Sequence, residues 1–117
     1  MPQLKNTPWG KPQNVETIAE GINFYSTASH GGYHLSHARM NQVPIYLQNT
    51  FAGGAWFEED CDWSIVALVF ESDFRRYYND IERSNLVIKS AIATMKHFRP
   101  EEFARFMNEK GFKPCTA

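Results

Sequence analysis

The stretch Gly21-Ile22-Asn23-Phe24-Tyr25-Ser26-Thr27-Ala28-Ser29, then His30-Gly31-Gly32, then Tyr33-His34-Leu35-Ser36 decides how the first half of this chain is read. Ile22 and Phe24 fall on one face of an extended segment and Asn23, Tyr25 and Thr27 on the other, the period of a β-strand. The run from Tyr33 resumes that pattern. A Gly-Gly pair between two such runs supplies the positive φ of a tight connection, so the stretch predicts a β-hairpin that turns at His30-Gly31-Gly32.

Toward the N-terminus, Pro2, Pro8, Gly10 and Pro12 predict an irregular arm over residues 1–13, with Trp9 pinning it to the body. Downstream, Pro44 is placed to open a short helix through Ile45 and Leu47, since proline suits the first helical position. Asn49 to Ala55 reads as a loop around Gly53-Gly54. The run Trp63–Phe70 has the β-branched content of a buried strand. The i, i+3, i+4 spacing of Ile65, Val66, Leu68 and Val69 favours a helix there, with Asp60 or Asp62 as its cap.

The C-terminal half is helical in pattern. Phe74, Tyr77 and Tyr78 share one helical face. Ser84 reads as the cap of a helix with Val87, Ala91, Thr94, Met95 and Phe98 inward. Pro100 starts another, with Glu101 and Glu102 near its positive N-terminus, Phe103, Phe106 and Met107 inward, and Gly111 as C-cap. The expected fold is α+β: one domain over 1–117, with an N-terminal β-hairpin or small antiparallel sheet packed against three to four C-terminal α-helices. Residues 14–57 form its hairpin and loop region, and 58–117 its mainly helical part.

Composition limits the function classes. A chain of 117 residues supports one hydrophobic core, and 43% apolar with 15% aromatic residues is enough to fill it, which excludes a disordered chain. No apolar run is long enough for a membrane span, and Met1-Pro2-Gln3-Leu4-Lys5-Asn6 lacks the apolar core of a signal peptide. Two cysteines, Cys61 and Cys115, do not make a disulfide scaffold, so a reducing cytoplasm is the expected setting.

The net charge of −1 conceals three blocks. Residues 1–57 carry Lys5, Lys11 and Arg39 against Glu16 and Glu20. Residues 58–73 carry Glu58, Glu59, Asp60, Asp62, Glu71 and Asp73 with no base. Residues 74–117 hold nine bases and five acids. A phosphate-gripping domain shows a basic excess on one face. Here the excess is modest, so nucleic acid is not the expected partner, and a role for Arg75, Arg76, Arg83, Lys89 and Lys96 on phosphates ranks last.

Two segments hold chemistry-bearing residues. In Ser26–Gly32, Ser29 and His30 stand beside two glycines whose backbone N–H groups are free to meet an anion, although the same residues also make ordinary turns. In Glu58-Glu59-Asp60-Cys61-Asp62-Trp63, a thiol sits among four carboxylates. Negative neighbours raise a thiol pKa, so a reactive Cys61 would need an offsetting cation; otherwise it is a small buried residue under an acidic turn. His30, His34 and His37 with Cys61 lack the spacing of a zinc centre, and no metal or cofactor is expected.

At these two segments the chain resembles a family. Residues 26–36 and Trp56-Phe57-Glu58-Glu59-Asp60-Cys61-Asp62-Trp63-Ser64-Ile65-Val66-Ala67, with Thr7-Pro8-Trp9-Gly10 and Glu20-Gly21-Ile22, look like an uncharacterised domain-of-unknown-function family of small proteins or domains carried by proteobacterial phages, plasmids and integrated elements. The resemblance spans about residues 7–75 and brings no catalytic assignment. It implies a mobile-element accessory protein in a bacterial cytosol.

Two function classes follow. The first is a binding module that docks on a host or phage protein, plausibly a counter-defence inhibitor, with an acidic face competing for a basic, nucleic-acid-binding surface. Its binding residues would be Gly31, Gly32, Glu58, Glu59, Asp62 and Trp63. The second is a small enzyme or ligand-binding domain with His30 as acid/base, Cys61 or Ser29 as nucleophile, Asp60 or Glu59 as orienter, and the Gly31-Gly32 amides receiving an oxyanion. It requires the turn and the acidic segment to meet in space. The aromatic content also permits a homodimer.

Overall fold

The computed structural model describes residues 6–110. Four antiparallel strands in the order β1-β2-β3-β4 form one sheet: β1 Asn14–Ala19, β2 Ile22–Ser26, β3 Gly31–Leu35 and β4 Trp56–Glu58. A short helix α1, His37–Met40, and a 3-10 turn at Ile45–Leu47 lie between β3 and β4. Four helices follow: α2 Trp63–Val69, α3 Glu71–Tyr78, α4 Ile81–Phe98 and α5 Pro100–Glu109. This is the α+β layout expected, with Trp63–Val69 helical.

The hairpin is real, but its turn lies elsewhere. The connection between β2 and β3 is Thr27–His30, and Gly31 and Gly32 are inside β3, opposite Ser26 and Tyr25. Neither has a positive φ. A threonine hydroxyl organises the turn instead: Thr27 Oγ1 accepts from the backbone N–H groups of Ser29 (3.3 Å) and His30 (3.0 Å) and donates to the His30 carbonyl at 2.6 Å. The glycines answer to crowding. A Cβ on Gly32 would overlap the Trp9 ring and lie 2.6 Å from the Phe57 carbonyl oxygen. Only a residue without a side chain lets Trp9 and β4 close on the strand.

The sheet gains two strands beyond the hairpin. β1 pairs with β2 from Asn14↔Ser26 to Ala19↔Ile22, with a bulge between Thr17 and Ala19, and lies in the 14–57 hairpin and loop region, ahead of the predicted hairpin. The bulge breaks the two-residue alternation that marks a strand in sequence. β4 is three residues long, paired with β3 at Tyr33↔Phe57 and His34↔Trp56. Register puts Phe24, Tyr33 and Phe57 on the face that meets the helices, where they join Ile22 and Leu35. Tyr25, His34 and Trp56 take the other face, with Trp9 edge-on to Trp56 at 5.7 Å. The arm is thus pinned by Trp9, as its composition suggested.

Helix α2 is the centre of the core: Ser64, Ile65, Val66, Ala67 and Leu68 are all buried, because it is covered by β4, α3 and α4. Three details of the helical half differ from the sequence reading. Asp80, not Ser84, caps α4 through its carboxylate on Arg83 N (2.9 Å), and Ser84 is buried one turn in, donating to the Asp80 carbonyl. The buried face of α4 runs through Ile88, Ala91 and Met95, while Phe98, the last residue of the helix, is half exposed. Asp62 stands at the start of α2 without capping it. Phe103, Phe106 and Met107 of α5 are buried as expected; the Gly111 cap lies outside the described residues. Among the described residues, no helix is long and apolar enough to cross a membrane.

Candidate functional site

At the end of β4 the chain bends sharply, and the Glu58 carboxylate fills the inside of the bend. Its Oε1 accepts from Cys61 N (2.6 Å), Cys61 Sγ (2.7 Å) and Asp62 N (3.0 Å). Its Oε2 accepts from Asp60 N (3.0 Å) and faces His30 Nε2 at 3.2 Å. The Thr27–His30 turn and the acidic segment therefore meet, with this carboxylate at the contact. Burial by itself would raise the Glu58 pKa. The hydrogen bonds from the Cys61 thiol and from the N–H groups of Asp62, Cys61 and Asp60 outweigh it and hold the pKa at about 2.

The same geometry sets the chemistry of Cys61. Burial first, then its hydrogen bond to Glu58 and the charges of Asp62 and Glu58, push the thiol up to about 12, with Arg99 only partly offsetting them. Cys61 is buried at 6% exposure and serves as a donor to Glu58. It does not touch His30 directly; the carboxylate lies between them. Ser29 sits exposed at the turn. Gly31 and Gly32 lie inside β3 opposite Ser26 and Tyr25, with Gly31 O accepting from Glu59 N at 2.9 Å.

The six acids of the 58–73 block have different fates. Glu58 is the anchor just described. Asp62 is fully buried and accepts from Arg99 Nε (3.0 Å), Arg99 Nη2 (2.9 Å) and Phe51 N (2.8 Å). Glu71 pairs with Arg75 (2.8 Å), and Asp73 with Arg39 (2.9 Å) and Arg76 (3.2 Å). Glu59 and Asp60 stand at the surface, their side chains 41% and 75% exposed, on either side of His30 at 3.6 and 3.7 Å. Trp63 is half-buried and packs against the core at the start of α2.

Sequence reading gave no role to Arg99 or to Trp56. Arg99 sits alone between two helices, and its importance comes from a buried aspartate 37 positions away. Trp9 stacks edge-on to His30 at 5.4 Å and borders a surface cleft of about 380 Å³ lined also by Lys11, Gln13, Thr27 and Ser29. His34 and His37 do not join His30: His34 lies against Trp56 on the outer face, and His37 is exposed at the start of α1.

Sheet and helices define a small α+β domain in which one glutamate organises the bend after β4. The chain belongs to the family described as a domain of unknown function, DUF7007, whose profile matches residues 2–114. The match takes in the C-terminal helices, which the motif resemblance left out. No curated protein and no solved structure matches the chain.

Proposed function

We propose that the protein is a binding module that docks on a basic surface of a partner protein through the corner made by the Thr27–His30 turn and the Glu59-Asp60 pair. The carrying observation is the division of labour among the acids. Four of the six are tied into the scaffold, and the remaining two are presented side by side on a bend that Glu58 fixes through three backbone hydrogen bonds. A pair of exposed carboxylates carried on a fixed backbone bend steers a cationic partner at a reduced entropic cost. The phage and plasmid setting implied by the motifs makes a host or phage protein in a bacterial cytosol the expected partner, with the nucleic-acid-binding face of a defence factor as its type.

The enzymatic alternative keeps one supporting feature, the His30–Glu58 pair, in which a buried carboxylate orients an imidazole. Its nucleophile is the weak point: a thiol held protonated by burial and by a carboxylate is the reverse of an activated one.

The test is capture of partners from bacterial lysate by the wild-type protein and by a Glu59→Lys/Asp60→Lys variant, at low and at physiological salt. Both substituted side chains are at the surface, so the melting temperature should match the wild type. Capture should fall severalfold and lose its salt dependence. Equal capture by the two proteins overturns the proposal.

A further inference from the structure

We propose that His30, Glu59 and Asp60 form a binding site for a divalent transition-metal ion of the Zn²⁺ type, with Glu58 as the positioning residue that orients the imidazole. One donor atom from each of His30, Glu59 and Asp60 lies within 4.8 Å of the other two. Glu58 already accepts from three backbone N–H groups and from the Cys61 thiol, so its carboxylate stands as an acceptor toward His30 and the proton shared at 3.2 Å belongs to His30 Nε2. In the neutral ring this leaves Nδ1 with a bare lone pair. That lone pair faces another acceptor, Glu59 Oε1, at 3.6 Å.

Two acceptors face to face call for a cation between them. A separation of 3.6 Å is longer than a good hydrogen bond and close to the ~3.4 Å edge of a tetrahedron with metal–ligand bonds of about 2.1 Å. A metal-bound histidine ordinarily gives its other N–H to a carboxylate, and Glu58 occupies that place, itself held by Asp60 N. Asp60 Oδ2 lies 3.7 Å from Nε2, across the ring from Nδ1, and its mostly exposed side chain must turn to bring an oxygen onto the ion. An imidazole in the donor set selects Zn²⁺-type ions over Mg²⁺ or Ca²⁺. Three protein donors leave a coordination position for water or for a ligand from another molecule.

This site stands apart from the binding reading, because the ion needs no partner protein. The two are coupled in one respect: an ion on Glu59 and Asp60 would compete with a cationic partner for them.

The rival occupant is a second proton on His30, and titration of chelator-treated protein with Zn²⁺ at pH 7.5 separates the two. Calorimetry should give one ion per chain. NMR of the four imidazoles should show His30 alone shifting, through Nδ1, and Co²⁺ should give the visible absorption of a protein-bound ion. Glu59→Gln/Asp60→Asn, which alters only surface side chains, should weaken binding at least about tenfold, the scale set by loss of supporting carboxylates. His30→Phe, which keeps a ring against Trp9, should do the same. No binding, unchanged affinity in both variants, or a shift centred on His34, His37 or His97 would overturn the site. Partner capture that fails while Zn²⁺ still binds would sink the docking proposal and leave this one standing.

Discussion

The Cys61 thiol donates to Glu58 Oε1 at 2.7 Å, and the backbone N–H of the same cysteine donates to the same oxygen at 2.6 Å. The cysteine thus approaches the carboxylate with both its donors, and a thiolate there would put two negative charges in contact. In a Cys115→Ser background, Cys61 should resist alkylation by iodoacetamide at pH 7–9 and react at the rate of a free thiol once denaturant is added. Rapid modification of the folded protein with an apparent pKa below about 8.5 would contradict this and return Cys61 to the role of nucleophile.

Glu58 also makes stability depend on pH with a defined sign. Its folded-state pKa of about 2 lies below the 4.5 of the exposed group, so the folded protein holds the ionised form more tightly than the unfolded chain does. The resulting stabilisation is complete above pH 4.5 and is lost as the pH falls toward 2. Glu58→Gln keeps the shape and removes the charge that five donors address, His30 Nε2 among them. It should cost on the order of 2–3 kcal/mol at pH 7, the scale of hydrogen bonds to a charged acceptor. Urea midpoints of the two proteins should converge through that acid window. A constant difference down to pH 2 would show that the charge of Glu58 is not what the bend requires.

Gly32 provides a test of packing. In Gly32→Ala the new methyl meets the Trp9 ring and the Phe57 carbonyl, so the arm must lift or β4 must shift. A loss of about 1–3 kcal/mol is expected, the range for overpacking a tight site. Trp9→Ala in the same chain should recover part of it, since the ring can be removed and the carbonyl cannot. If Gly32→Ala melts like the wild type, the close approach of Trp9 and Phe57 is not what this position requires.

That position also shows what sequence could and could not tell. Ile22, Phe24 and Leu35 announce a half-buried antiparallel pair through alternation alone, and Pro100 with Phe103, Phe106 and Met107 announces α5, because these signals are local. A glycine pair is ambiguous: it marks positive φ in one context and close approach in another, and only the location of Trp9 and Phe57 decides. β1 was hidden by its bulge and β4 by its brevity. At the site, the sequence brought His30, the acids and Cys61 forward as chemistry-bearing. It could not say that Glu58 stands between His30 and Cys61, or that Asp62 is spent on Arg99, since both facts depend on pairs far apart in the chain.

Asp62 and Arg99 make the last case. Asp62 is fully buried, and its two oxygens divide between Arg99 and the N–H of Phe51, while the guanidinium also lies 5.0 Å from the Phe51 ring. The pair therefore fastens the 49–55 loop to the junction of α4 and α5. Arg99→Ala leaves a carboxylate in the interior with no cation, and Asp62→Ala leaves a guanidinium, so each should cost about 3–5 kcal/mol. Because each single change already destroys the interaction, the double variant should cost much less than their sum. A double-mutant cycle from urea melts reads this directly. Additive losses would mean that the two groups are stabilised separately, with the loop held by the Asp62–Phe51 hydrogen bond alone.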